Sequence, residues 1–282
     1  MTRASDLQLT ILMDNVAAQQ GVAVEHGWAL LIETPATTIL LDTGASSRTM
    51  DNAARLGVDL AEVDQIVLSH GHADHTGGLE HVLRATGPKQ VLAHPDVFGP
   101  KYARPGRGHS PSYIGVPRPR SHYERLGASF VLTREPRELA PGVFLSGEVT
   151  DRANGVAPDP RLAVQRGDSL VPDPLLDDMS LAVQTSRGPI VLTGCAHAGL
   201  ANILEHFARL TNAETIVAAL GGTHLLNATP DAVLQHTMDV LERRRVQQLG
   251  PCHCTGAASR AWLAERFPGD VIDCGVGRRI RF

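Results

Sequence analysis

Several common signatures are missing from this sequence. It has no Gly-x-Ser-x-Gly elbow, no P-loop and no dinucleotide fingerprint, which removes three large enzyme classes. Aromatic residues make up only 4% of the chain. Platforms for stacking a flat ring are therefore few, chiefly Trp28, Tyr102, Tyr113, Tyr123 and Trp262. The four cysteines, Cys195, Cys252, Cys254 and Cys274, all lie in the last third. They are too few and too clustered for a disulfide framework and suit a reducing cytoplasm. No apolar run approaches the ~18 residues that span a bilayer, and the start of the chain has no signal-peptide core. A net charge of −4 gives no general attraction for nucleic acid. The expectation is a cytoplasmic protein without membrane or nucleic-acid partners, with homo-oligomerisation left open.

What is present is ordinary in bulk and unusual in one place. The 282 residues, 43% hydrophobic and 20% charged, can bury a sizeable core. The segment Ser69-His70-Gly71-His72-Ala73-Asp74-His75-Thr76-Gly77-Gly78 packs three histidines and a carboxylate into six residues. It follows the apolar run Ile66-Val67-Leu68, read as a buried strand. If that strand persists, His70 and His72 point to one side, because side chains alternate with period two. Asp74 and His75 then fall in a turn before a helix carrying Leu79, Val82 and Leu83. Such a set can hold two adjacent divalent ions. Imidazole and carboxylate suit zinc, which is preferred here, with iron or manganese as alternatives.

Strand-like and helix-like segments alternate elsewhere. Leu7 to Met13 reads as a strand, and Trp28 to Glu33 with Thr38 to Asp42 as a hairpin around Thr34-Pro35-Ala36. A second hairpin, Leu181 to Thr185 with Pro189 to Thr193, echoes it. Leu200, Ile203, Leu204, Phe207 and Leu210 form one helical stripe. Thr229-Pro230-Asp231 signals a helix start, and a last helix spans Ala257 to Phe267. His81, His206 and His236 lie in helices without clustered partners and are read as surface or satisfied histidines. Residues 99–122 are rich in proline, glycine and basic side chains, including Lys101, Arg104, Arg107, Arg118, Arg120, His109 and His122. They read as a long inserted loop with no regular element, within a single domain over residues 1–282. Its guanidinium groups suit a phosphate or carboxylate, so Arg118 and Arg120 are candidate substrate contacts.

The histidine cluster resembles the signature of the metallo-β-lactamase superfamily. Leu12-Met13-Asp14-Asn15, Glu25-His26-Gly27, Leu41-Asp42-Thr43-Gly44, Thr193 to Gly199, Gly221 to Leu225 and Pro251 to Gly256 are similar to one subgroup. That subgroup resembles the dihydropterin–ribofuranosylaminobenzene 5'-phosphate synthase type. The resemblance implies a four-layered αββα sandwich with a dinuclear metal site. His70, His72, Asp74 and His75 would be ligands, and His253 would be the last metal histidine. A further ligand would come from the loop after Ile190-Val191-Leu192, where the superfamily usually has an aspartate or cysteine. Here the choice is Cys195 or His197, with His197 preferred. Asp42 would support the cluster loop from behind. Asp178 stands where many relatives carry a metal histidine, so either it supplies an oxygen or the site lacks that ligand. Cys252 and Cys254 are read as packing residues that alternation turns away from the face His253 uses. His224 resembles a histidine of the nuclease branch that donates a proton to the leaving group. A general acid or substrate contact is expected for it, with metal ligation as the rival role.

The leading expectation is a metal-dependent hydrolase attacking a small anionic substrate, a phosphate ester or phosphodiester, with hydroxide bound between two metals. Asp74 and His224 are its candidate catalytic residues. A transferase of the synthase type is the alternative, and a non-catalytic metal-binding protein the second.

Overall fold

In a computed structural model, residues 7–104, 110–152, 159–225 and 231–282 are described. Arg107, His109 and the expected Thr229-Pro230 helix start lie outside them.

Apolar side chains alternate along short strands, and this builds two seven-stranded sheets packed face to face. The first contains β1 (Gln8–Met13), β2 (Ala29–Glu33), β3 (Thr38–Leu41), β4 (Gln65–Val67), β5 (Lys89–Ala93), β8 (Ala128–Leu132) and β18 (Arg279–Arg281). Its order is β18-β1-β2-β3-β4-β5-β8. The second contains β9 (Arg137–Ala140), β10 (Val143–Leu145), β13 (Ser180–Thr185), β14 (Gly188–Thr193), β15 (Ala218–Gly222), β16 (Gln248–Cys252) and β17 (Asp270–Val271), in the order β17-β16-β15-β14-β13-β10-β9. Both expected hairpins are present, as β2–β3 and β13–β14. Each hairpin runs on into parallel strands, β3–β4–β5 in one half and β14–β15–β16 in the other.

The alternation decides the layers. Leu30, Ile32, Ile39 and Leu41 point between the sheets, where they meet Leu181, Val183, Ile190 and Leu192. Their neighbours Leu31 and Leu40 point outward to helix α3 (Leu79–Thr86). On the far side Leu200, Ile203, Leu204 and Phe207 of α5 (Leu200–Leu210) cover the second sheet together with α6 (Asp231–Arg243) and α7 (Ala257–Arg266). Helix α1 (Arg48–Arg55) completes the outer layer of the first half. The result is an αββα sandwich. None of the described helices is long and apolar enough to cross a membrane.

The segment 99–122 departs from the expected loop. It carries β6 (Lys101–Ala103) and β7 (Ser112–Tyr113), and α4 begins within it (Arg120–Arg125). These strands join β11 (Leu162–Arg166) and β12 (Ser169–Pro172) in a separate four-stranded sheet. Local composition missed this because the pairing partner is distant in sequence: Tyr102 faces Ala163 and Tyr113. Lys101 is not an open cation. Its ammonium is buried against Asp173 at 2.8 Å and Asp177 at 2.9 Å. Burial opposes its charge, but the two carboxylates outweigh burial and hold its pKa above the usual lysine value. Lys101→Ala is therefore expected to destabilise the fold by about 3–5 kcal/mol, because it strands two buried acids. Denaturant titration of the variant checks this, and a midpoint equal to wild type would contradict it.

Candidate metal centre

The parallel strands end together at one edge of the sandwich, and their following loops carry the candidate residues, as is usual for ligand sites in α/β sheets. Asp42 follows β3, the histidine cluster follows β4, Cys195 and His197 follow β14, His224 follows β15 and His253 follows β16. Asp42, Ala196, His224 and His253 turn the chain sharply, with φ of 61°, 59°, 49° and 49°. A left-handed backbone at a non-glycine residue costs ~1–2 kcal/mol, and such strain concentrates at functional sites.

The cluster sits on a loop rather than a strand. Strand β4 stops at Val67, and His72 precedes the short helix α2 (Ala73–Thr76), which holds Asp74 and His75. The expected alternation is therefore not what aligns His70 with His72. Close approach of the loop to its neighbours is. A side chain on Gly71 would strike the Val97 carbonyl oxygen at 2.0 Å, and one on Gly78 the Thr43 carbonyl oxygen at 2.0 Å. The Gly71 N–H donates to Asp177 Oδ2 at 2.8 Å, which ties the cluster to the buried Lys101 pair.

Hydrogen bonds from behind fix which ring nitrogens face inward. The fully buried Asp42 carboxylate accepts from the Ser69 N–H, the Ser69 hydroxyl and His75 Nδ1–H, each at 2.7 Å. Ser69, having given its proton to Asp42, accepts from His70 Nδ1–H at 2.9 Å. Both imidazoles thus direct an Nε2 lone pair into the site.

Two donor groups result. In the first, His70 Nε2 lies 2.9 Å from His72 Nδ1 and 3.2 Å from His197 Nε2. In the second, His75 Nε2 lies 3.1 Å from His253 Nε2, and Asp74 Oδ2 is 3.5 Å from the former and 3.4 Å from the latter. Lone pairs facing one another at these separations repel unless a cation lies among them. Donors around a tetrahedral zinc with bonds of ~2.0–2.1 Å are about 3.3 Å apart, so the residues fit such an ion. Cys195 joins the groups, with Sγ 3.1 Å from His75 Nε2. The structure therefore brings both Cys195 and His197 to the centre, where one or the other was expected.

The electrostatics agree. Burial, reinforced by neighbouring imidazoles, pushes His70 well below the usual histidine range, and burial likewise pushes His197 down. Burial takes His72 down to about 4. These rings stay neutral, as ligands must. His75 goes the other way, up to about 9, because Asp74 and Asp42 outweigh its burial. Burial also resists the charge on Asp74, yet His75 and His253 hold that carboxyl far below its ordinary value. Carboxylates that favour a proton on His75 favour a metal cation in the same place.

Asp178 is buried, and Oδ2 accepts the Ala198 N–H at 3.0 Å, which braces the His197 loop. Burial pushes its pKa up to about 6. Its other oxygen, Oδ1, is buried without a hydrogen-bond partner among the described residues, and Asp178 belongs to none of the described residue groups that could hold an ion. Cys252 packs between the sheets as expected. Cys254 does not: it groups with Cys195 and His253. The left-handed turn at His253 ends the strand and with it the alternation that would have turned Cys254 away. The His224 ring lies 4.1 Å from that of His197 and is tilted 52° to it, close enough to form a further donor group with Cys195 and His197. Arg118 and Arg120 lie outside the centre. Arg118 is 3.9 Å from Glu80, and Arg120 is 2.7 Å from Glu124 with its guanidinium over Phe130. A further residue, His26, was not singled out as a site candidate. Its Nε2 is 3.3 Å from Asp74 Oδ2 and its ring stacks on His253; Glu25-His26-Gly27 was its trace in the sequence.

These donor groups are a candidate metal centre, set in a fold that the comparisons identify. The metallo-β-lactamase superfamily model matches residues 22–243. The chain is 28% identical over 267 residues to 7,8-dihydropterin-6-methyl-4-(β-D-ribofuranosyl)-aminobenzene-5'-phosphate synthase of Methanocaldococcus jannaschii, covering 92% of this chain and 90% of that protein. It is 33% identical over 260 residues to an uncharacterised protein of the same organism, covering 91% and 94%. A crystal structure of a metal-dependent hydrolase of the β-lactamase superfamily superposes with a TM-score of 0.83 at 29% identity, covering 97% of this chain and 98% of that one. The chain belongs to the metallo-β-lactamase superfamily and is an enzyme.

Proposed function

We propose that the protein is a hydrolase of a small phosphorylated or otherwise anionic substrate. Two divalent ions, zinc preferred, would be held by His70, His72 and His197 and by Asp74, His75 and His253. The observation that carries this reading is the pair of donor groups with inward lone pairs, 2.9–3.5 Å apart and joined by Cys195. Bound ions would polarise the scissile bond and yield a nucleophile from water at neutral pH. The chain's own part is orientation and proton movement. Asp42 and Ser69 set the ring tautomers, and Asp74 offers a carboxylate at the centre. His224, whose ring nitrogens make no hydrogen bond among the described residues and whose Nε2 lies 3.7 Å from Asp159 Oδ2, faces the first group as a proton donor to the leaving group. Arg118 and Arg120 act as outer charges that draw an anion in rather than grip it.

A second reading follows from the similarity to the synthase: a transferase acting on a pterin and an aminobenzene ribose phosphate. Trp28, whose ring is 6.4 Å from that of His253, is buried with 1% exposure and offers no open face. Tyr113, half exposed and edge-on to Tyr102 at 5.5 Å, is a more open ring. Elemental analysis combined with a screen of phosphate mono- and diesters tests the first reading. Two metals and ester hydrolysis are expected. Condensation of the two synthase substrates without ester hydrolysis would favour the second.

His224→Ala is expected to keep its metals and lose roughly 10²–10⁴-fold in turnover, as for a lost proton donor. Loss of a metal would make His224 a ligand instead. Unchanged turnover would remove it from the mechanism.

A further inference from the structure

Asp74, His253 and His26 converge closely enough for all three to hold one ion. Asn15 decides otherwise. Its Nδ2 donates to the His253 backbone carbonyl at 3.2 Å. A carbonyl oxygen can only accept, so this bond fixes which end of the amide is nitrogen. Oδ1 then faces His253 Nδ1 at 3.2 Å and must accept a proton from it. That leaves His253 Nε2 with a lone pair, directed at His75 and Asp74. The other Nδ2 hydrogen points at His26 Nδ1, 3.3 Å away, which must accept. The His26 proton therefore sits on Nε2, 3.3 Å from Asp74 Oδ2.

We infer that the Asn15 amide sorts two stacked histidines into opposite tautomers, making His253 a metal ligand and His26 a substrate-facing hydrogen-bond donor for an anionic oxygen of the phosphate or carboxylate kind. The rings lie 5.0 Å apart and 22° from parallel, so one amide reaches both. A ring nitrogen that carries a proton cannot ligate, which places His26 outside the donor set. With 67% of its side chain exposed, it stands at the mouth of the site, free to pass its hydrogen bond from Asp74 to an arriving oxygen. Asp14 completes the grip by accepting the His253 N–H at 2.9 Å. This assigns work to the segments Leu12 to Asn15 and Glu25 to Gly27.

The His253 half of the inference rests on the proposed metal centre; the tautomer assignment does not. Long-range ¹H–¹⁵N spectra of the ¹⁵N-labelled, zinc-loaded protein, assigned with His26→Gln and His253→Gln, should show Nε2–H on His26 and Nδ1–H on His253. His26→Phe, which keeps the stacking, should retain the wild-type zinc content. It should bind inorganic phosphate roughly 10–100-fold more weakly, as expected for a lost hydrogen bond to a charged group. His26→Gln, with an N–H on the same side, should recover most of that affinity. An Nδ1–H tautomer on His26, zinc loss in His26→Phe or unchanged phosphate binding would overturn the inference. Protein that binds no zinc, iron or manganese yet shows both tautomers would instead defeat the hydrolase reading and leave the sorting intact.

Discussion

Asp74→Ala is expected to empty the second donor group and to lower turnover by roughly 10²–10⁴-fold, the scale of a lost catalytic acid or base. The carboxylate faces His75 and His253 at 3.5 and 3.4 Å and accepts from His26 at 3.3 Å. Its removal takes the carboxylate charge from the group and leaves two imidazole donors with the Cys195 thiol, whose pKa burial holds well above the ordinary thiol value. The first group shares no ligand atom with Asp74, so its ion should stay. Metal content near half that of wild type, with activity nearly gone, is the expected pair of results. Retention of both metals would place Asp74 outside the ligand set.

The second large effect is expected at a residue that touches no metal. Asp42→Ala removes three hydrogen bonds of 2.7 Å, frees His75 to rotate, and leaves the buried Ser69 N–H without a partner. Loss of a support of this kind lowers metal affinity by about 10–100-fold. Breaking the fully buried Asp42–His75 pair should also cost about 3–5 kcal/mol of stability. Zinc competition with a chromophoric chelator, run beside denaturant unfolding, reads both quantities. Wild-type zinc affinity in Asp42→Ala would show that His75 is oriented by something else.

The histidine cluster was legible because its four donors lie within six residues, so no long-range folding is needed to bring them near each other. The hairpins and the stripe of α5 were legible for the same reason: their periodicity is local. His197 and His253 could be placed at loops following apolar runs, since strands that end at one edge deliver their loops there. The third sheet was not legible. Tyr102 pairs with Ala163 across an inserted stretch, and basic, glycine-rich composition gives no hint of such a partner. Cys254 was misplaced because one left-handed residue, His253, cancels a period-two argument. His26 was not legible as a site residue because its one acidic neighbour, Glu25, turns to Ala45 and Ser46 instead; its partners Asp74 and His253 arrive only with the fold.

The two donor groups draw on both halves of the sandwich: His70, His72, Asp74 and His75 from the first sheet, His197 and His253 from the second. Any ion held there is a rivet through the seam where the sheets meet. Unfolding must then release it, and folded-state stability becomes linked to free metal, gaining ~2.7 kcal/mol when the ion stands at 100 times its dissociation constant. With an ion bound there, the melting temperature would be a property of chain and buffer together.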